Sequence, residues 1–342
     1  MTATSRPGAG LAPRRVGPFE VPAIGLGCMN LSHAYGVPPA PEAAEALLRT
    51  ALEEGVTLFD TAALYGFGAN EELVGRVLAP HRDRIVLAGK CGMTGVDGRR
   101  VIDGRPETLR RTVDESLSRL RTDVIDLCYL HRVDRQVPVE ESFGAMADLV
   151  AAGKVRALGL SEVSAATLRR AHAVHPVAAL QNEYSLWSRN PEQGTLAAAR
   201  ELGVTLVAFS PLARGFLTSA PPDPGGLPAG DIRRGMPRFD AHHYPANLAL
   251  RLELERIAGD AGLGLAQLAL AWVVSRGSHV LAIPGTRSVA HLRENLSVID
   301  LDVPGEALDA ADRVLNATTV HGARYDESTL AEIDTERCGR AG

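Results

Sequence analysis

Residues 58–66 read LFDTAALYG: an apolar pair runs into an acid, and a tyrosine follows five places later. The stretch 56–59 has the apolar content of a short buried strand, and Gly66, Gly68 and Asn70 punctuate a loop before the helical pattern NEELVGRVL. Asp60 and Tyr65 therefore flank one strand-to-loop junction. With VTLFD (56–60), the runs AIGLG (23–27), RIVLAGK (84–90), VIDLCYLH (124–131), VRALGLS (155–161), PVAALQN (176–182), VTLVAFS (204–210) and HVLAIPG (279–285) make eight short, mainly apolar segments. Between them, stretches such as PEAAEALLRTALEEG, PETLRRTVDESLSRLRTD and PVEESFGAMADLVAAGK repeat apolar residues at helical spacing, opening on Pro. Strands alternating with helices imply parallel pairing and right-handed crossovers, and eight such units predict a closed (β/α)8 TIM barrel of the α/β class. A Rossmann sheet is the structural competitor, but GLGCMN lacks the third glycine of its fingerprint and no helix follows it promptly.

Three segments fall outside the repeat. Residues 12–22 fit a small hairpin on the barrel floor. Residues 217–245 form a long Pro/Gly-rich loop after strand seven, of a length that commonly carries function. PGEALDAADRVLNA reads as an extra C-terminal helix. The expected organisation is a disordered leader over 1–14, a single barrel domain over 15–320 and a polar tail over 321–342.

Composition narrows the setting. A hydrophobic content of 45% with 23% charged residues suits a globular protein with a sizeable core. A net charge of -5 without any basic run argues against nucleic acid as a partner. No run of about 18 apolar residues is present and MTATSRPGAGLAPRR lacks a signal-peptide core, so a cytoplasmic protein without membrane partner is expected. Cys28, Cys91, Cys128 and Cys338 show neither metal-ligand spacing nor a disulfide framework, and no metal is expected. Of the 36 basic residues only Lys90 and Lys154 are lysine, leaving 34 arginines. A lysine kept against that bias at the end of a buried strand, as Lys90 is, marks a place where a compact ammonium is needed.

In a parallel barrel the C-terminal strand ends all open on one face, where such proteins carry their sites. Asp60 ends strand two, Lys90 strand three and His131 strand four, and Tyr65 lies in the loop after strand two. Singly, each has an ordinary reading: a turn cap, an ion-pair partner, a buried imidazole, rim packing. Together they are what proton donation to a carbonyl oxygen needs. A phenol of pKa about 10 is a poor acid near neutrality unless a neighbouring cation favours its anion, and Lys90 is expected to supply that field. Asp60 then holds the lysine, and His131 orients the substrate oxygen.

FDTAALYG, LAGKCG and CYLHRVD resemble the catalytic segments of the aldo-keto reductase superfamily, and LGLSEVS, LQNEYSLWSR, VAFSPLARGFLT and IPGTRSVAHLRENLSV resemble its cofactor-binding stretches, over about residues 15 to 315. The flavour is that of the bacterial and plant branches. The resemblance implies Asp60, Tyr65, Lys90 and His131 as a catalytic tetrad and NADPH as cofactor. It counts Gly27, Cys28, Met29 and Asp60 among the cofactor-binding residues, with Ser161 and Gln181 on the nicotinamide carboxamide and Phe209 stacked on the nicotinamide ring. It sets Ser210, Pro211, Leu212, Arg214 and Gly215 along the pyrophosphate. Gly285, Thr286 and Arg287 fall at the adenosine phosphate, His291, Glu294 and Asn295 near the adenine, and Ile283 is a further cofactor-binding residue. Arg287 beside the Thr286 hydroxyl suits a 2′-phosphate, since a guanidinium binds phosphate bidentately. Glu162 stands where many members have asparagine, and Met29 where the mammalian branch has a tryptophan. Met29, Tyr35, Trp187 and the 217–245 insertion are the candidates for the substrate pocket. The expected activity is NADPH-dependent reduction of a small-molecule aldehyde or ketone, with Tyr65 as general acid. The alternatives are a nucleotide-binding regulatory subunit of a membrane channel with incidental turnover, and a cofactor-free lyase using the Lys90 amine.

Overall fold

The computed structural model describes residues 10–337. Eight strands, β1 (Leu26–Gly27), β2 (Leu58–Asp60), β3 (Val86–Cys91), β4 (Ile125–Leu130), β5 (Val155–Ser161), β6 (Val177–Glu183), β7 (Thr205–Phe209) and β8 (Val280–Ala282), pair in sequence order, every neighbour parallel. β8 returns to the segment before β1 through the parallel bridge Ile24–Ala282. There the Gly25 N–H donates to Ala282 O at 2.8 Å and the Ala282 N–H to Ala23 O at 3.0 Å, which closes the sheet on itself. The (β/α)8 barrel expected from the alternation is the observed fold.

Helices α1 (Pro41–Glu53), α2 (Ala69–Leu78), α3 (Pro106–Leu120), α4 (Val139–Ala151), α5 (Ala165–Val174) and α6 (Thr195–Leu202) each follow a strand. Pro41 and Pro106 start α1 and α3, where a missing N–H leaves no helical bond unmade. After β7 come α7 (Tyr244–Asp260) and α8 (Leu265–Ser275), then α9 (Val289–Ser297), α10 (Gly305–Val314) and α11 (Glu327–Glu332) beyond β8. α8, LAQLALAWVVS, buries nearly every residue, so it lacks the polar face by which periodicity marks a helix. Residues 217–245 are an ordered run of short 3-10 turns, tied back by the Ile232 N–H to Ala34 O at 3.1 Å.

The barrel interior is filled in layers. At the floor, Arg14–Val16 and Phe19–Val21 pair as the expected hairpin, and Val16 and Val21 pack among Leu58, Val86, Leu127, Ala157, Val207 and Leu281. Above them sit Ala88, Tyr129 and Ala179. A Cβ on Gly159 would stand 2.4 Å from the Tyr129 ring and 2.9 Å from Ala179 O, so only glycine leaves room for that ring inside the barrel. Side chains alternate in and out along a strand. The next inward positions toward the C-terminal end are therefore Asp60 after Leu58, Lys90 after Ala88, His131 after Tyr129, Gln181 after Ala179 and Phe209 after Val207. The polar layer is a consequence of strand parity.

Two boundaries read from the sequence are corrected. The chain is fixed on the barrel from Leu11, whose N–H donates to Ile299 O at 2.6 Å, and Arg14 already belongs to the hairpin, so the leader does not extend to residue 14; residues 1–9 lie outside the described residues. The segment from residue 321 is not a free polar tail over its described part. Arg324 is buried, Arg135 donates to Ala331 O at 2.8 Å, and Asp334 and Glu336 accept the Ser164 and Ala165 N–H groups at 3.2 and 2.7 Å, covering the open start of α5. Cys338 lies outside the described residues.

Candidate active site

Asp60, Lys90, Tyr65 and His131 come together at the mouth of the barrel. Lys90, 2% exposed, donates to Asp60 Oδ1, to Thr61 O at 2.9 Å and to the Tyr65 hydroxyl at 3.1 Å. An ammonium has three donors, and all three are used here by acceptors converging on one buried point, a geometry that suits a compact ammonium rather than a planar guanidinium. That is the physical demand behind a lysine in this arginine-rich chain. Asp60 is held from its other oxygen by Gln181 Nε2 at 2.7 Å. The Tyr65 ring is met edge-on by His131 at 5.9 Å and stacked by His33 at 6.4 Å.

Tyr65 is positioned by the loop after β2. Thr61 Oγ1 donates to Asn70 Oδ1 at 2.7 Å, and Asn70 Nδ2 donates to Cys28 O and Ser32 Oγ, both at 2.9 Å. Asn70, fully buried at the start of α2, thus clamps the β1 and β2 loops together.

Burial is the largest influence on these groups. It raises the Tyr65 phenol above its ordinary pKa, and Asp60 adds to the rise, while the Lys90 charge and hydrogen bond and the Arg132 charge work the other way. The expectation of a phenol made acidic by its lysine is therefore corrected: Lys90 offsets the cost of a dry pocket without overcoming it. Burial works to lower Lys90, but Asp60 and Tyr65 together carry it above its usual value, so the ammonium is retained. Burial lifts the Asp60 carboxyl, against Lys90 and Gln181. His131 is pushed well below the usual imidazole range, by burial first and then by Arg132, Lys90, Arg100 and His33. Its ring is neutral near pH 7, and its Nδ1 is buried without a hydrogen-bond partner among the described residues.

Asp60, Tyr65 and His131 line a cleft of about 530 Å³, with Lys90 buried behind Tyr65. Of the residues expected along it, Gly27, Met29, Tyr35, Ser161, Gln181, Phe209, Ser210, Pro211, Leu212, Arg214, Gly215, Ile283, Gly285, Thr286, Arg287 and His291 line its walls. The turn after β7 carries Ser210, Ala213 and Arg214 at φ of 49°, 51° and 58°, a concentration of left-handed backbone that is costly for non-glycine residues and gathers at sites. Thr218, Ile232, Arg233 and Met236 bring the 217–245 insertion into the wall. Half-buried Phe209, the hydroxyl-bearing Ser161, Ser210 and Thr286, and exposed Arg287 all line the cleft. That donor set fits a dinucleotide carrying an aromatic ring at one end and phosphates toward the other.

Other expectations are corrected. Trp187 lies outside the cleft: it stacks on Phe216 at 4.4 Å and meets Phe239 edge-on at 5.5 Å, buried in the core beneath the insertion. Cys28 faces away, with its Sγ 3.8 Å from Leu26 O, and burial pushes its thiol up. Glu294 and Asn295, one turn on from His291 in α9, do not line the cleft. Arg214 reaches the wall but not as an unpaired cation, since it donates to Glu183 and to the Tyr325 hydroxyl, both at 2.6 Å. Arg287 donates to Val37 O at 2.8 Å and Tyr35 O at 3.3 Å, latching the first loop to the last.

Glu162 turns away from the cleft into a buried charge network. It takes up φ 55° and accepts from Arg324 Nη2 at 2.6 Å and from the Glu183 N–H at 2.8 Å. Arg324 also faces Glu183 at 3.5 Å. Burial alone would raise the Glu183 carboxyl, but Arg214, Arg324 and Arg238 outweigh it and hold it down to about 2. Sequence reading missed His33, Asn70, Arg100, Arg132, Arg324 and Tyr325. Only Arg132, directly after His131, carried a positional signal.

The Aldo/keto reductase family model matches residues 23–316. The chain is 41% identical over 327 residues to a Schizosaccharomyces pombe protein named aldo-keto reductase yakc with NADP(+) in its name, covering 94% of this chain and 96% of that one. The solved glycerol dehydrogenase of Gluconobacter oxydans is 30% identical with a TM-score of 0.82, over 92% of this chain and 98% of its own. An aldo/keto reductase from Klebsiella pneumoniae, solved with NADP and acetate, is 28% identical with a TM-score of 0.69, over 92% of this chain and 99% of its own. The chain belongs to the aldo/keto reductase family.

Proposed function

We propose that the protein reduces an aldehyde or ketone to the alcohol with NADPH. The cofactor supplies a hydride to the carbonyl carbon. The carbonyl oxygen takes its proton from the Tyr65 hydroxyl as negative charge develops on it. Lys90, bonded to that same hydroxyl, stabilises the phenolate left behind, and Asp60 and Gln181 keep the ammonium aimed. His131 is neutral and offers a ring N–H to the carbonyl oxygen, which fixes its orientation without adding a charge. The single observation that carries this reading is the third donor of Lys90, directed at the Tyr65 hydroxyl at 3.1 Å on the floor of the cleft.

Thr286 and Arg287 are the groups proposed for the 2′-phosphate, because the guanidinium keeps donors beyond the Nη1 that holds the first loop. Arg287→Ala is then expected to weaken NADPH more than NADH, and equal weakening of both would remove Arg287 from that role. The test of the reading as a whole is steady-state oxidation of NADPH in the presence of 4-nitrobenzaldehyde. Turnover that depends on the aldehyde is the expected result. Tight NADPH binding with no turnover would instead point to a nucleotide-binding regulatory protein.

A further inference from the structure

Arg132 faces the cleft beside Tyr65 and His131, without a counter-charge among the described residues. Its Nη1 donates to His131 O at 2.6 Å and to Ser161 Oγ at 3.2 Å, and among the described residues it makes no ion pair. The other cations in the cleft, and Lys90 directly behind it, differ. Lys90 is paired with Asp60, Arg214 with Glu183, Arg233 with Asp231 and Arg100 with Glu332, while Arg287 sits at the far rim on backbone carbonyls.

The neighbouring groups do not neutralise Arg132. His33 is held below the usual imidazole range by burial and by Arg100, and His131 by burial and then by Arg132 itself, so both rings are neutral near pH 7. The cleft's remaining acid, Asp326, is engaged in capping α11, where it accepts the Thr329 N–H at 2.8 Å. A substrate that fills the cleft strips water from Arg132. A desolvated guanidinium without an anion is costly, and a carboxylate meets its planar fork with two charge-assisted hydrogen bonds.

We propose that the substrate carries a carboxylate on the part that lies against Arg132, so that the site takes carboxylate-bearing aldehydes or ketones in preference to neutral ones. This rests on the carbonyl reduction proposed above. The test compares kcat/KM for 4-carboxybenzaldehyde and for its neutral relative methyl 4-formylbenzoate in the wild type, Arg132→Gln and Arg132→Lys, with NADPH affinity measured separately by fluorescence quenching of the binary complex. The wild type should favour the carboxylate by on the order of 10-fold or more, as one charged hydrogen-bond pair allows. Arg132→Gln should bring the ratio to near one, chiefly through KM for the carboxylate, and Arg132→Lys should keep part of it. The ratio is taken within one preparation, so a poorly folding variant does not distort it. A wild-type ratio near one overturns the proposal, as does a ratio unchanged in Arg132→Gln while NADPH affinity falls, which would assign Arg132 to the cofactor. If the wild type turns over neither aldehyde, the reductase reading itself fails.

Discussion

Replacing Lys90 with methionine removes the cation from a carboxylate that has nowhere else to turn. Asp60 is 3% exposed, and with the ammonium gone its one remaining side-chain donor among the described residues is Gln181 at 2.7 Å. Breaking a buried pair from one side costs about 3–5 kcal/mol, and the surviving amide bond favours the lower end, about 3 kcal/mol. The sign with pH follows from Asp60. Its folded pKa is already raised by burial, and Lys90 is the main opposing influence, so the variant raises it further. A raised folded pKa means that the native state holds the proton more tightly than the unfolded chain. Stability is therefore greatest below the unfolded carboxylate value of about 4 and falls as pH rises toward the folded value, by up to about 1.4 kcal/mol per pH unit. Urea unfolding of wild type and Lys90→Met at pH 5 and pH 8 measures this. The deficit should be about 3 kcal/mol at pH 8 and clearly smaller at pH 5, and adding Asp60→Asn should recover most of it at pH 8. A deficit under about 1 kcal/mol at pH 8, or one equal at both pH values, would refute the buried-pair argument.

Two further outcomes follow from the packing. Gly159→Ala drives a methyl group into the Tyr129 ring and should destabilise by about 1–3 kcal/mol by urea unfolding, whereas an effect within about 0.5 kcal/mol would mean the ring has room to move. Arg324→Met strips Glu162 of its cation and should cost about 3 kcal/mol, with partial recovery on adding Glu162→Gln. No recovery would show that the loss is one of packing alone.

Much of this site is written in strand parity. Asp60, Lys90 and His131 each fall at the inward position of the last strand turn, and period-two alternation against Leu58, Ala88 and Tyr129 makes that position readable without coordinates. The scarcity of lysine singled out Lys90, and its three occupied donors give the reason. Trp187 was unreadable for the opposite cause. An aromatic after β6 faces pocket or core according to what covers it, and its cover comes from the turn after β7, through Phe216, and from the insertion, through Phe239. Arg324 belongs to a stretch of polar composition, and nothing in it states that its partners Glu162 and Glu183 wait at the tops of β5 and β6. The hairpin of Met93–Val96 with Arg99–Ile102 carried a usable mark, Asp97-Gly98, whose positive φ values form its turn. The direction of the Tyr65 shift depends on how deeply the phenol is buried, which motif spacing does not encode.

The most direct test of the central claim is Tyr65→Phe, which removes only the hydroxyl that Lys90 contacts. On the present account kcat/KM for carbonyl reduction falls by at least about 100-fold while NADPH binds within about twofold of wild type. A variant that still reduces 4-nitrobenzaldehyde at the wild-type rate would show that the proton comes from elsewhere.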